Sequence, residues 1–458
     1  MATDKKDLFE RKPVLEAVLE LAMPSIIGQI VLVIYNMADT LFVGMTKSDA
    51  MITSVTVCLP AFMILSAISN LFGIGGSSVI AGALGRGEKE KAGRVCAFSV
   101  WGCFTVTFIY CLCIFLFSDS FIDLLGGKDP MVHGNAYSYM IAAVVIGGIP
   151  TALNTLFAHL IRGSGYSRQA SFGITLGGLL NVGLDPLFMF VILPDGSEAL
   201  GAAVATALSN FAALIYYIFI IARHKESFSF SLKLSKETFK DSIPKDVISV
   251  GIPACLMTLC ENLSYGVLDN LMHAAGTAAQ AGIGVAKKIN MLAHCFVRGM
   301  SQGVLPLIAY NYSSGNHKRM KSVIFVTSTI SVFIALLCTG CCLVFAKPLV
   351  SLFIHSESQS LLFGRDFLRI LCIGAPFSAF AYTIISFFQA TGHGTRSLVL
   401  ALLRKGLIDI PLMFLLRELL PVYGIVWATP LADMLCCIAA AVFFSIFMRR
   451  QNLICRKK

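Results

Sequence analysis

Apolar segments of about 20 residues, the length that crosses the hydrocarbon core of a bilayer, recur along nearly the whole chain, separated by short polar stretches. The pattern predicts six helical spans at roughly 13–43, 51–83, 92–117, 134–161, 169–193 and 200–222. A second six follow at roughly 246–272, 280–311, 322–345, 367–390, 397–416 and 424–448. The expected fold class is an all-α membrane protein of twelve transmembrane helices, in two six-helix repeat lobes around a central cleft. Residues 1–222 form the first lobe, 223–245 a cytoplasmic linker, and 246–458 the second lobe with its tail.

The division rests on an internal repeat. Pro24, Tyr35 and Asp39 recur as Pro253, Tyr265 and Asp269. Gly148-Ile-Pro150 recurs as Gly374-Ala-Pro376, and Gly201-Ala-Ala-Val-Ala-Thr206 as Gly424-Ile-Val-Trp-Ala-Thr429. Offsets between matched positions drift only from about 230 to 223, so the correspondence runs through both halves. Six is an even number, so both halves enter from the same side and are related by an axis along the membrane normal. Repeats of this kind place a substrate site between them near the midplane, which favours a transporter over an enzyme.

Composition agrees: 56% of the 458 residues are hydrophobic and 14% charged, where soluble domains carry about 25% charged residues. Mean hydropathy is +0.78. The net charge of +10 is a matter of placement. Of the 36 Lys and Arg, 27 fall in the terminal segments and the loops at 84–94, 162–168, 223–245, 312–321 and 391–405, against five in the opposite loops. Lys287, Lys288, Arg298 and Arg369 lie within spans. The positive-inside rule then puts both termini in the cytoplasm of a multi-pass plasma (inner) membrane protein, and nucleic acid is not an expected partner. The first dozen residues carry no removable signal pattern. The 15 cysteines show no paired CxxC spacing and read as small apolar helix residues; no metal site is expected.

An Asp at a helix centre costs about 2.5–3.5 kcal/mol on insertion scales, so each buried acid needs a bundle-facing or water-lined place. Asp39 lies on the helical face of Tyr35, and Asp185 follows Asn181 by four residues on one face of the fifth span. With the Thr206 hydroxyl these oxygens form a candidate site for a proton or a small hard cation. A buried carboxyl can take up a proton on one side of a membrane and release it on the other. Glu261 and Asp269 are candidates for a second cation or substrate site, whereas Asp409 and Asp433 read as structural. Pro24 is a candidate hinge in the first span, and Tyr35 and Gln29 are candidate cleft residues. Gly73-Ile-Gly-Gly76 suits close helix approach rather than phosphate binding, because no Lys-Ser/Thr pair follows it.

At Tyr35-Asn-Met-Ala-Asp39-Thr40 and Gly85-Arg-Gly-Glu-Lys-Glu-Lys-Ala92 the chain resembles the multidrug and toxic compound extrusion (MATE) family, in its MepA-like branch. The likeness continues through Asn181-Val-Gly-Leu-Asp185-Pro186, Gly201 to Thr206, Gln302-Gly-Val-Leu-Pro306 and Trp427-Ala-Thr-Pro430. The resemblance implies efflux of cationic, lipophilic drugs or metabolites in exchange for H⁺ or Na⁺, with no other cofactor, by a chain acting as a monomer. It also puts the N-lobe cation site at Asp39, Asn181, Asp185 and Thr206 and the bendable proline at Pro24. Glu261 matches an acidic position of sodium-coupled members, but the tenth span, Phe377 to Gln389, lacks the acid that accompanies it. The alternatives are a lipid-linked precursor flippase, which needs a more cationic cleft, and a specific metabolite exporter. A major facilitator would carry Asp-Arg in the loop after its second span, and a membrane enzyme a compact catalytic cluster. The chain has neither.

Overall fold

The structure, a computed structural model, describes residues 7–46, 48–223, 230–354 and 359–456. Of the basic residues counted above, Lys5, Lys6, Lys47, Lys225, Lys457 and Lys458 lie outside them.

The first half comprises α1 (Val14–Met45), α2 (Asp49–Gly85), α3 (Lys89–Leu124), α4 (Pro130–Met140), α5 (Gly148–Gly163), α6 (Ser167–Leu187) and α7 (Glu198–Arg223). A short helix α8 (Lys236–Lys240) precedes the second half. That half comprises α9 (Ile243–Ala275), α10 (Thr277–Ser313), α11 (His317–Ser351), α12 (Gln359–Ile373), α13 (Ala375–Ala390), α14 (Gly394–Leu402), α15 (Asp409–Leu419) and α16 (Tyr423–Arg456). Wide π turns at Ile141–Ile146, Phe188–Ile192 and Leu403–Leu407 continue α4, α6 and α14.

Eight of these helices are long and apolar enough to cross a membrane by themselves, and ten spans result when the bent pairs α4–α5 (46°) and α12–α13 (42°) are each counted once. Both bends fall at the Gly-x-Pro motif that repeats between the halves, because the proline leaves a carbonyl of the preceding turn without its donor. The remaining two spans, α10 and α14–α15, are the ones that carry Lys287, Lys288, Arg298, Arg404, Lys405 and Asp409. The twelve spans and two lobes expected from the pattern are therefore present. The repeat extends to backbone geometry: Gly87 and Gly315 both take φ +79°, and Gly165 and Gly392 take +84° and +75°, in matched turns where a side chain would be strained.

Packing differs between the two membrane faces. On the face that carries the chain termini, one apolar cluster joins Leu21, Ala22 and Ile26 of α1 and Ala81 of α2 to Met300, Val304 and Leu307 of α10 and Phe387 and Phe388 of α13. A second joins α2, α3 and α5 to Ile243 and Val247 of α9. On the opposite face each lobe keeps its own cluster: Val43, Met51, Cys58 and Ala199 in the first, Leu268, Ile283, Phe367 and Val426 in the second. The lobes thus close on each other at the terminal face, and a cleft between them opens to the other.

Glycines allow that closure. A Cβ on Gly251 would lie 2.0 Å from the Leu71 carbonyl oxygen, and one on Gly75, within the Gly73–Gly76 run, 2.3 Å from that of Val247. A Cβ on Gly299 or Gly303 of α10 would lie 2.4 Å from Ile26 Cα or 2.7 Å from Ala22 Cα of α1, respectively. Polar contacts cross the same seam: Gln29 Nε2 donates to Gln302 Oε1 (3.3 Å), Asn70 to Thr258 (2.9 Å) and Ser78 to the Gln389 carbonyl (2.8 Å).

Candidate functional site

In the first lobe, Asn181 and Asp185 lie one turn apart on α6, as their spacing predicts, and both are buried. Gly178 lets α1 approach α6, since a Cβ there would meet Val31 at 2.8 Å and Tyr35 at 3.4 Å. The Asn181 amide donates to Asp185 Oδ1 (3.2 Å) and to Thr206 Oγ1 on α7 (3.2 Å). Asp185 is 0% exposed, and its Oδ2 and the Asn181 Oδ1 meet no donor among the described residues. Asp39, half-buried on α1, is close enough for its charge and that of Asp185 to interact. The phenols of Tyr35 and of Tyr139 on α4 lie in the field of both. The expected group of Asp39, Asn181, Asp185 and Thr206 is thus brought together, joined by Tyr139, which sequence reasoning did not find. Burying a carboxylate without a donor on one oxygen is costly, and among the described residues no base stands at ion-pair distance to offset it.

Gln29 is part of the seam between the lobes through Gln302, whereas Tyr35 sits with the acids. Pro24 is half-buried within α1, which runs through it as one helix. In α6 the helix widens after Asp185-Pro186 into the π turn Phe188–Ile192.

The second lobe is built differently. Glu261 on α9 forms an ion pair with Arg298 on α10 and accepts a hydrogen bond from Tyr382 (3.4 Å). Asp269 is paired with Lys287, so each candidate for a second cation site already faces a cation of the chain, as Asp185 does not among the described residues. Asp409 accepts from Lys405 (2.9 Å), Ser264 (2.6 Å) and Thr429 (3.0 Å), and Asp433 from Arg404 (2.8 Å). The Arg404 guanidinium also lies 4.3 Å from the Tyr382 ring centre and the Lys405 ammonium 5.3 Å from that of Tyr265.

This corrects the sequence reading. Arg404 and Lys405, counted with the cytoplasmic loop 391–405, are 1% and 2% exposed inside the eleventh span, and Arg162 at the end of α5 is also buried. Basic residues beside a predicted span end look like loop residues when charge alone decides. The signal that would have found Lys405 is its place four residues before Asp409, matching Asn181 before Asp185. Among these side chains lies a cavity of about 10 Å³, lined by Tyr265, Lys287, Asn290, His294, Arg404 and Lys405 among others.

A helical bundle of two like lobes, with a cleft between them and buried acids in one wall, defines a membrane transporter. The MatE family model matches the chain twice, over residues 24–187 and 253–415, and the chain belongs to the multidrug and toxic compound extrusion family. It is 28% identical over 446 residues to the multidrug export protein MepA of Staphylococcus aureus, covering 97% of this chain and 96% of that one. It superposes with a TM-score of 0.89 on a crystal structure of a MATE protein in complex with MaL6, at 23% identity, covering 98% and 99% of the two chains. A second structure, described as the outward-facing conformation of a multidrug resistance MATE transporter, gives 0.87 at 23% identity, covering 97% and 98%.

Proposed function

We propose that this transporter exports cationic, lipophilic drugs or metabolites across the plasma membrane in exchange for H⁺ or Na⁺, by alternating access, with coupling at Asp39, Asn181, Asp185 and Thr206. The observation that carries this reading is the fully buried Asp185, whose Oδ2, like the Oδ1 of the neighbouring Asn181, meets no donor among the described residues. A cation or proton stabilises that arrangement, and its release leaves two like charges, Asp39 and Asp185, to repel one another. Such a site is a two-state element that an ion gradient can bias.

The conformation fits one half of the cycle. With both termini in the cytoplasm, the seam lies on the cytoplasmic side and the cleft opens outward, where an exporter discharges its load and meets its driving ion. Glu261 is left out of coupling because Arg298 already neutralises it.

The test is ethidium efflux from proteoliposomes for the wild type, Asp39→Asn and Asp185→Asn, with the H⁺ and Na⁺ gradients collapsed separately. Efflux that needs one gradient and disappears in both variants names the ion and its site. Undiminished efflux in the variants removes the N-lobe site, and absence of efflux in the wild type removes lipophilic cations in favour of a specific metabolite or a lipid.

A further inference from the structure

The two walls of the cleft differ in charge. No base among the described residues pairs with Asp39 or Asp185 in the first lobe. In the second, Glu261, Asp269, Asp409 and Asp433 each already have a cation from the chain itself. Lys288 adds a further positive charge with no acid at ion-pair distance among the described residues.

Arg298 stands out in that second wall. It sits in the middle of α10, which packs against α1, α2, α9, α11, α12 and α13 and so is interior to the bundle. Gly299 meets Ile26, and the Cys295 thiol donates to the Gln29 carbonyl (3.4 Å), so Arg298 is level with the upper edge of the seam between the lobes. Its side chain is nevertheless 32% exposed, against 9% for Glu261. A partly exposed side chain on an interior helix just above that seam faces the cleft. Glu261 takes only Nη2, and the remaining donors of the guanidinium fork meet no acceptor among the described residues. The Tyr382 ring lies 5.9 Å from Arg298 and 4.3 Å from Arg404, so two guanidinium groups crowd one ring. Behind it, Arg404 Nη1 is buried without a partner.

We propose that Arg298 docks an anionic group of the substrate, a carboxylate, so that the preferred substrates are amphoteric: lipophilic organic cations that also carry a carboxylate. This rests on the export reading above and narrows its substrate class. A planar fork with free donors matches a carboxylate in two hydrogen bonds. A purely cationic substrate meets attraction at one wall and no free acid at the other, where the acids are already paired, whereas an amphoteric one has a partner at both. The arriving anion also offsets the repulsion between Arg298 and Arg404 across Tyr382.

Rhodamine 110 and its methyl ester, rhodamine 123, share one cationic ring system and differ by a free carboxylate. Their binding to the purified full-length protein in neutral detergent, followed by fluorescence anisotropy without any ion gradient, tests the proposal. The wild type is expected to bind the acid about tenfold more tightly than the ester, the worth of one charge-assisted contact. Arg298→Gln brings the ratio to near one, and Arg298→Lys, which keeps the charge but not the fork, gives an intermediate ratio even where the glutamine variant does not fold. Equal or tighter binding of the ester by the wild type overturns the proposal and leaves the export reading standing. A ratio that survives in both variants overturns it as well, and binding of neither dye overturns both readings.

Discussion

The two lobes share one helical plan and treat the carboxylate at its matching place in opposite ways. Asp185 in the first lobe corresponds to Asp409 in the second, Thr206 to Thr429, and Asn181 to Lys405. In each lobe the residue four positions earlier reaches the acid, at 3.2 Å from the amide and 2.9 Å from the ammonium. The amide leaves the carboxylate's charge uncompensated and one oxygen open. The ammonium neutralises it, and Ser264 and Thr429 complete its hydrogen bonds. One side chain thus separates a carboxylate with an open oxygen from one that carries its own cation.

The strongest way to break this comparison is to make the same substitution in both lobes. Asp409→Asn strands the buried Lys405 and is expected to cost about 3–5 kcal/mol, the usual consequence of removing one partner of a buried pair. Asp185→Asn strands nothing, because no base among the described residues pairs with it, and is expected to leave stability unchanged or raise it by up to about 1 kcal/mol while gradient-driven efflux is lost. Thermal midpoints of the detergent-solubilised variants decide; equal losses in both would mean that Asp185 has a structural partner after all.

The reverse exchange comes next. Asn181→Lys supplies the first lobe with the second lobe's ammonium, and its efflux is expected to fall to the rate seen with gradients collapsed, at normal expression. Gradient dependence that persists would show that the ion does not bind beside Asp185.

A smaller effect is expected at the seam. Gly251→Ala places a methyl group against the Leu71 carbonyl, so the closed terminal face has to separate at a cost of about 1–3 kcal/mol. Distances between spin labels on α2 and α9 are expected to shift toward the open form on that side, and an unchanged distribution would show that the seam is not held by this contact.

The spans and the repeat were legible in the sequence because a bilayer leaves few alternatives to about 20 apolar residues per crossing; the bends at the two Gly-x-Pro motifs were not, because a proline alone does not decide them, as the unbroken run of α1 through Pro24 shows. The contact between Asn181 and Asp185 was legible for a local reason, being one turn of a single helix. Tyr139 and the pairing of Glu261 with Arg298 were not, because they depend on how α4 turns toward α1 and α9 toward α10, which no single-helix period encodes. Arg404 and Lys405 were misplaced through a rule applied one turn too far. They lie in the π turn Leu403–Leu407, inside the span that ends the basic loop, and their acids stand on α15 and α16.

The finest test of the comparison is the hydroxyl that each lobe supplies from its last helix. In the first lobe Thr206 touches the amide and not the carboxylate, so its role is to hold Asn181 with Oδ1 toward the open site. In the second, Thr429 donates straight to Asp409, one of three donors on an acid that is already neutralised. Valine in either place removes one hydrogen bond at similar volume, about 0.5–1.5 kcal/mol. For Thr429→Val that loss is expected in the thermal midpoint alone, with the ion dependence of efflux unchanged. For Thr206→Val it is expected in the ion concentration that gives half-maximal efflux, which rises severalfold, because a freed amide can turn its nitrogen toward the ion. If both variants shift the midpoint and neither shifts the ion dependence, Thr206 is ordinary interhelical glue and the ion site contracts to Asp39, Asn181 and Asp185.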